Sequence, residues 1–265
     1  MHKSCRNQTI LPGVETVSIF SDLSFPRHSH DEFGFGYISK GGQRSWSQRG
    51  MVEAQAGDTI TVNPDEIHDG LGRQGEPRQW HMIFLTEEAL SQLNDVHPNK
   101  AEFTLPVNRS KGAFLLTKKA FSVLQSEGND SNEVEQVLML ALAQQLDRNQ
   151  TNNPSVVQSR SREVQIAIDM ICQSWEIPLS LAGLANATGT SRFQILRRFS
   201  HEVGTTPYAF LTQHRLKRAR DMILLGVPLA ETAVACGFSD QSHLTRKFSR
   251  QYGVTPGSFA RGATS

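Results

Sequence analysis

Between residues 14 and 85 apolar and polar side chains alternate with a period near two, and clusters of turn residues break the alternation at short intervals. The candidate strands are Val14–Phe20, Phe33–Ser39, Gln43–Ser47, Met51–Ala54, Thr59–Val62 and Gln79–Leu85, separated by turns such as Lys40-Gly41-Gly42 and Asn63-Pro64-Asp65. Short strands at such spacing indicate a sandwich or barrel, and the expectation is a small β-barrel. After Leu85 the period lengthens to that of a helix. Thr86 is placed to cap a short helix ending at Leu93, and Ser110 a second with Ala113, Leu116, Ala120, Phe121 and Leu124 on one face. Asp130 with Glu133 makes a capping-box-like start to a third, running to about Arg148. Its positions Val134, Val137, Leu138, Ala141 and Leu142 form one stripe, which Met139, Leu140 and Ala143 widen. A stripe that wide is buried against two surfaces. The barrel and the same helix of a second subunit are the two candidates, and periodicity does not choose between them.

Residues 150–161 carry Thr, Asn, Pro, Ser and Gln with almost no apolar side chain, the composition of a flexible linker. A helix follows over Arg162 to Ser174, with Val164, Ile168 and Ile171 facing inward. From Pro178 to Phe259 one pattern is stated twice. The first copy runs Ala185-x-x-x-Gly189, then Ile195-x-Arg197-Arg198-Phe199-Ser200-x-x-x-Gly204-x-Thr206-Pro207-x-x-Phe210. The second runs Ala233-x-x-x-Gly237, then Leu244-x-Arg246-Lys247-Phe248-Ser249-x-x-x-Gly253-x-Thr255-Pro256-x-x-Phe259. Each copy must be one structural unit. Ser180 or Pro228 opens a short helix, Gly189 or Gly237 supplies a turn, and Ser191 or Asp240 (alternatively Ser239) caps a second helix. Ile195 with Phe199, and Leu244 with Phe248, fall at i and i+4 and face inward. This is the build of a helix-turn-helix, whose second helix enters the DNA major groove. Tyr208 to Leu225 forms a long helix between the units. Two recognition helices on one face of the duplex must lie about 34 Å apart.

The stretch LLGVPLAETAVACGFSDQSHLTRKFSRQYGVTPGSF closely resembles the second half of the DNA-binding domain of AraC/XylS-type transcription regulators. NATGTSRFQILRRFSHEVGTTPYAFLTQHRLKRARDMILLG resembles the first half, so the resemblance covers about the last hundred residues. Ala233-Val234-Ala235 departs from the Ile-Ala pair usual in the family but keeps a small residue at the helix crossing. Upstream, His28-Ser29-His30 and the run from Gly57-Asp58 through Pro64-Asp65-Glu66-Ile67-His68 resemble the two halves of a cupin barrel, the sensory domain often attached to such DNA-binding units. The resemblance implies a sequence-specific regulator that binds double-stranded promoter operator DNA and responds to a small-molecule effector. It also implies a homodimer through the helix at residues 131–148, and contact with RNA polymerase if the protein is an activator. The expected fold class is α+β with two domains. Residues 1–149 form a cupin-like sensing and dimerisation domain, 150–161 the linker, and 162–265 the double helix-turn-helix domain.

Composition sharpens that division. The net charge of +1 conceals 14 Lys and Arg against 19 Asp and Glu in residues 1–150, about −5, and 13 against 7 in residues 151–265, about +6. A basic C-terminal part is what phosphate binding requires. Three cysteines, Cys5, Cys172 and Cys236, are far apart and odd in number, which excludes a disulfide framework and a zinc-finger spacing. No run of eighteen apolar residues and no apolar stretch behind Met1 is present, so the expectation is a cytoplasmic protein with no membrane partner.

The DNA-reading candidates follow from the matched positions. Arg197 and Arg246 occupy the same place in the two recognition helices, where a guanidinium fork can hold guanine O6 and N7 together. Arg192, Phe193 and Leu196 accompany the first; Gln241, Ser242 and His243 accompany the second. Arg198 and Lys247 are assigned to phosphates, which supply affinity but little sequence choice. In the barrel the effector-binding candidates are His28, His30, Arg44, Trp46, His68 and His81. In metal cupins a His-x-His pair, a downstream Glu and a later His form the ligand set. Here Gly34 and Phe35 stand where that Glu belongs, and Glu32 comes too early. No metal or cofactor is therefore assigned; His28, His30 and His68 are the residues that would hold Zn²⁺ or Fe²⁺ if they converge, with His81 as a substitute for the carboxylate. No catalytic residue is assigned and no enzymatic activity is expected. The competing readings are a cupin-type metalloenzyme carrying an accessory DNA-binding domain, and an architectural DNA binder.

Overall fold

The computed structural model describes residues 2–47, 49–72, 76–93, 101–126, 130–146 and 160–263. They fall into two compact units, Met1–Thr151 with Arg261–Ser265, and Asn152–Ala260. The first unit holds strands β1 (His2–Gln8), β2 (Val14–Ser21), β3 (Phe25–His28), β4 (Phe33–Lys40), β5 (Gly42–Ser47), β6 (Gly50–Gln55), β7 (Thr59–Val62), β8 (His68–Gly72), β9 (Arg78–Leu85) and β10 (Val107–Asn108). They form a six-stranded sheet in the order β1-β2-β9-β4-β7-β10 and a four-stranded sheet in the order β3-β8-β5-β6. The described ladders do not join the two sheets into a closed cylinder, so the expected barrel is realised as two facing sheets.

Strand alternation assigns each face. Val17, Ile19, Ile38, Val62, Trp80, Met82 and Phe84 of the larger sheet pack with Phe25 and Ala54 of the smaller, and this is the interior. On the other face of the larger sheet, Val14, Phe33, Phe35, Tyr37, Ile83 and Leu85 pack against α1 (Glu87–Leu93), α2 (Lys111–Gln125) and α3 (Ser131–Ala143). β4 reads Phe-Gly-Phe-Gly-Tyr for this reason. Its rings face the helices, and its glycines leave the interior side to β9. A Cβ on Gly34 would lie 2.8 Å from the Phe84 ring, and one on Gly36 2.6 Å from the Met82 sulfur.

Four strands lie where no alternation was read. β1 is polar along most of its length and, among the described residues, pairs only with β2. β3 contains Pro26, β8 contains Gly70 and Gly72, and β10 has two residues. Gly72 of β8 makes room for Arg78, which is 1% exposed although it is charged. A Cβ on Gly72 would meet its Nη1 at 2.3 Å. Arg78 donates to Gln43 Oε1 (3.2 Å), Leu23 O (2.9 Å) and Gly70 O (3.0 Å), and its guanidinium lies 4.8 Å from the Trp80 ring centre. Burial pushes its pKa down to about 10, which leaves it protonated at neutral pH. It cross-links both sheets.

The helical caps follow the sequence closely. Thr86 Oγ1 accepts from Ala89 N, and Ser110 Oγ accepts from Ala113 N. Asp130 caps α3 through Asn132 N (2.8 Å) in place of a full capping box with Glu133. α3 buries Val134, Val137, Leu138, Ala141 and Leu142 and leaves Met139 and Leu140 exposed. α3 ends at Ala143, where Gln144 caps it, short of the expected end near Arg148; residues 147–148 and the linker from 150 to 159 lie outside the described residues.

The second unit is all helical: α4 (Arg162–Gln173), α5 (Leu181–Thr188), α6 (Arg192–Val203), α7 (Pro207–Leu224), α8 (Leu229–Ala235), α9 (Gln241–Tyr252) and α10 (Pro256–Ala263). Among the described residues no helix is long and apolar enough to cross a membrane. Ile195, Phe199, Leu184 and Ala185 are buried with Val164, Ala167, Ile168 and Ile171 of α4. Leu244, Phe248 and Ala233 are buried with Leu216, Ala219, Ile223, Phe238 and Phe259. Each buried Phe or Leu contributes about 1.5–3 kcal/mol of transfer free energy, so the i, i+4 pairs anchor their helices firmly.

Candidate functional site

Each recognition helix begins at a side-chain cap and shows a polar face to solvent. Ser191 accepts from Gln194 N while Gln194 Oε1 accepts from Ser191 N, a complete capping box at the start of α6. Asp240 accepts from His243 N at 2.7 Å at the start of α9. That bond, with one from Ser239, holds the Asp240 carboxyl below its ordinary pKa. On α6, Arg192, Phe193, Arg197 and Arg198 are exposed and Leu196 is half-buried. Phe193 is 71% exposed, which core packing does not explain, and the Arg197 guanidinium lies 6.0 Å from its ring centre. On α9, Gln241, Ser242 and Arg246 are exposed, while His243 and Lys247 are half-buried.

Two of the expected DNA contacts are partly engaged elsewhere. Arg198 donates to Glu163 of α4 at 2.9 Å, an ion pair that competes with a phosphate for the same guanidinium. His243 Nδ1 lies 3.2 Å from Ser239 Oγ, and its ring stands edge-on to Phe238 at 5.4 Å. The imidazole is therefore held against its own helix start.

A residue of the long helix between the units, not among the nominated candidates, ties the two helix-turn-helix units together. Arg215 of α7 donates through Nε to Trp175 O (2.7 Å), through Nη2 to Ile177 O (3.1 Å) and Glu176 O (3.3 Å), and through Nη1 to Gly237 O (2.8 Å). The first three carbonyls lead into α5, and the fourth lies in the turn between α8 and α9. One guanidinium thus binds the approach to the first unit and the turn of the second. All its acceptors are backbone carbonyls, so no side-chain spacing announces it.

In the first unit the structure brings three of the six effector candidates together. His28 and His68 are cross-strand partners on β3 and β8. His30 joins them from the following loop, and its carbonyl accepts from Asp65 N at 2.7 Å. The turn holding His68 is built by Asn63-Pro64-Asp65-Glu66. Glu66 N donates to Asn63 O, Asp65 takes the left-handed φ of 58°, and the Glu66 carboxylate accepts from Asn63 N and Nδ2. Ring centres are 4.5 Å apart for His28–His68, 4.9 Å for His28–His30 and 5.2 Å for His30–His68. His28 Nδ1 lies 2.7 Å from Pro26 O and His68 Nδ1 2.9 Å from Glu66 O. A carbonyl only accepts, so both Nδ1 atoms carry the proton and both Nε2 atoms keep a lone pair. Burial pushes the His28 pKa down to about 3, helped by the His68 charge, and burial also lowers that of His68. Both are neutral at pH 7.

The other three candidates lie elsewhere. Gln43 and Ser45 are hydrogen-bonded on one face of β5, where Gln43 also accepts from Arg78 and pairs with the interior residue Ala54. Alternation puts Arg44 and Trp46 on the opposite, outer face. There the Arg27 guanidinium covers the Trp46 ring at 3.6 Å, and Trp46 N donates to Asp69. His81 sits on the helix side of β9, between Ser18 Oγ (2.8 Å from Nδ1) and Ser39 Oγ (3.1 Å from Nε2), stacked on Tyr37 and edge-on to Phe121. It is a satisfied packing histidine and cannot replace the absent carboxylate. Gly34, where the cupin pattern has its Glu, lies under Phe84, whose ring stands 5.0 Å from His30.

Comparison with known proteins agrees with both halves of this picture. Residues 17–146 match the family described as AraC-like ligand binding domain, and residues 184–262 the family described as helix-turn-helix domain. The HTH-type transcriptional regulator YbfI of Bacillus subtilis is 27% identical over 226 residues, 83% of this chain and 81% of that one. The regulator MtrA of Neisseria gonorrhoeae is 34% identical over 100 residues, 37% of this chain and 32% of its own length. Among solved structures, ToxT of Vibrio cholerae aligns over 100% of this chain and 98% of its own with a TM-score of 0.51 at 10% identity, a likeness of fold.

Proposed function

The chain is an AraC/XylS-type transcription regulator, a DNA-binding protein that responds to a bound effector, and from that premise we propose how its two units divide the work. Residues 1–149 sense the effector and dimerise, 150–161 tether, and 162–265 read double-stranded operator DNA in the cytoplasm. The reading rests above all on Arg197 and Arg246, exposed at matched positions on two helices whose opposite faces are locked into separate cores. Arg197 with Phe193 and Leu196 reads one half-site; Arg246 with Gln241, Ser242 and His243 reads the other. Arg192 lies in the first turn of its helix, beside the groove. Lys247, and Arg198 once released from Glu163, meet phosphates.

The effector belongs in the sandwich interior at the three histidines, and its role is regulatory; no catalytic step is assigned. Dimerisation through residues 131–148 is supported by Leu140, which is 57% exposed on a helix whose opposite face is buried. A Leu140→Glu variant is expected to sediment as a monomer while keeping its melting profile. If the protein activates transcription, the DNA-bound unit also meets RNA polymerase.

Fluorescence anisotropy with duplex DNA selected from a random pool tests the DNA reading. Specific binding is expected to exceed binding to random duplex by a factor of about 10³ or more, and both are expected to weaken steeply with salt. Equal affinity for the two would leave only an architectural binder.

A further inference from the structure

We propose that His28, His30 and His68 form a mononuclear site for a divalent transition-metal ion in the sandwich interior. One ligand nitrogen from each of the three lies within 4.8 Å of the others. Metal–nitrogen bonds of about 2.0–2.1 Å bring such atoms to a common ion after small ring rotations. The supporting shell is already in place. Pro26 O and Glu66 O each hold an Nδ1–H, which turns the Nε2 lone pairs of His28 and His68 away from those bonds, the orientation a histidine ligand needs. Asp65 N on His30 O ties the loop bearing His30 to the turn bearing His68, so all three ligands share one scaffold.

Three neutral imidazoles bring no charge of their own to the ion, and the Glu66 and Asp69 carboxylates act on His68 only from outside the group. Among the described residues the group contains no carboxylate, and Phe84 fills the space over Gly34. The ion therefore keeps open coordination positions, which water or an oxygen donor of a small anionic ligand would complete. Imidazole donors suit Zn²⁺, Fe²⁺, Ni²⁺ and Cu²⁺, and exclude Mg²⁺ and Ca²⁺, which take oxygen. The consequence for regulation rests on the sensor reading above, but occupancy of the site does not.

The test uses full-length, tag-free protein stripped with a chelator, then titrated with Co²⁺ and separately with Zn²⁺. Expected are visible d–d absorption bands that saturate at a single Co²⁺ per chain, their bleaching by Zn²⁺, and a melting temperature of the first unit that rises with either ion. His30→Ala and His68→Gln should each weaken binding by at least about tenfold, with circular dichroism unchanged. His201→Gln, on α6 of the other unit, should bind as the parent does. Only trace metal in the parent, or equal saturation in His30→Ala and His68→Gln, would overturn the site. Operator affinity measured with and without Zn²⁺ separates the two claims. Saturable binding with no change in affinity would leave the metal site standing and count against its regulatory role.

Discussion

The two helix-turn-helix units share one skeleton and hold it by different means. In both, a glycine with positive φ turns the chain, at 65° for Gly189 and 70° for Gly237. Thr190 N returns to Ala185 O in one, and Phe238 N to Ala233 O in the other. Yet Gly189 has open space around its missing Cβ, whereas a Cβ on Gly237 would lie 2.7 Å from the Arg215 guanidinium. α6 starts from a serine capping box and α9 from an aspartate. The first recognition helix is capped without charge and exposes Phe193 and Arg197. The second is clamped, capped by a carboxylate, and exposes Gln241, Ser242 and Arg246. The buried positions repeat while the exposed positions differ, so the two helices present unequal faces to solvent.

Disturbing the shared clamp should blur that difference most. Arg215→Ala removes a charged donor from four carbonyls at once and is expected to cost the second unit about 3 kcal/mol, read from chemical denaturation. Because the same guanidinium ties both units, operator affinity should fall further than the loss of folded protein explains. Gly237→Ala combines backbone strain with a collision against Arg215 and should cost about 2–3 kcal/mol, against about 1 kcal/mol for Gly189→Ala, where only the backbone conformation is strained. Equal costs would mean the turns are equivalent and the clamp unimportant.

The caps give a smaller, pH-dependent contrast. Ser191→Ala should cost about 1 kcal/mol at any pH, since a hydroxyl does not titrate in this range. Asp240 has a folded pKa below its unfolded value. Its stabilisation is therefore present above the ordinary aspartate range near pH 4 and is lost as pH falls through the lowered folded value. Amide protection factors in the first turn of α9, referred to the intrinsic exchange rate at each pH, should fall on acidification while those of α6 do not. A parallel fall in both would contradict the assignment of the caps.

Much of this was legible in the chain, and the reasons for the rest are specific. Period and caps locate most helices of the second unit because most carry their own signal, as at Ser180, Ser191 and Asp240. α10 was not read, although Thr255 Oγ accepts from Ser258 N as Thr206 Oγ accepts from Ala209 N. In the first unit β1, β3 and β8 hid because they are polar, contain proline, or are thinned by glycines, of which Gly72 accommodates Arg78. The three histidines could be nominated from His-x-His and the Pro-Asp-Glu-Ile-His turn. Their separation from Arg44, Trp46 and His81 could not, because it depends on which parity of β5 and β9 faces inward, and a shift of one residue reverses that. Arg215 left no trace, since its partners are main-chain atoms.

Unequal reading by Arg197 and Arg246 is the centre of the account, and selection from a randomised duplex pool by the parent, Arg197→Ala and Arg246→Ala proteins tests it most directly. The parent should select an asymmetric site of two different half-sites. Each variant should relax one base position in its own half-site, at a cost of about 1–3 kcal/mol there, and leave the other half unchanged. If both variants instead weaken binding to selected and random duplex alike, the arginines touch only phosphates and the two readers are not readers.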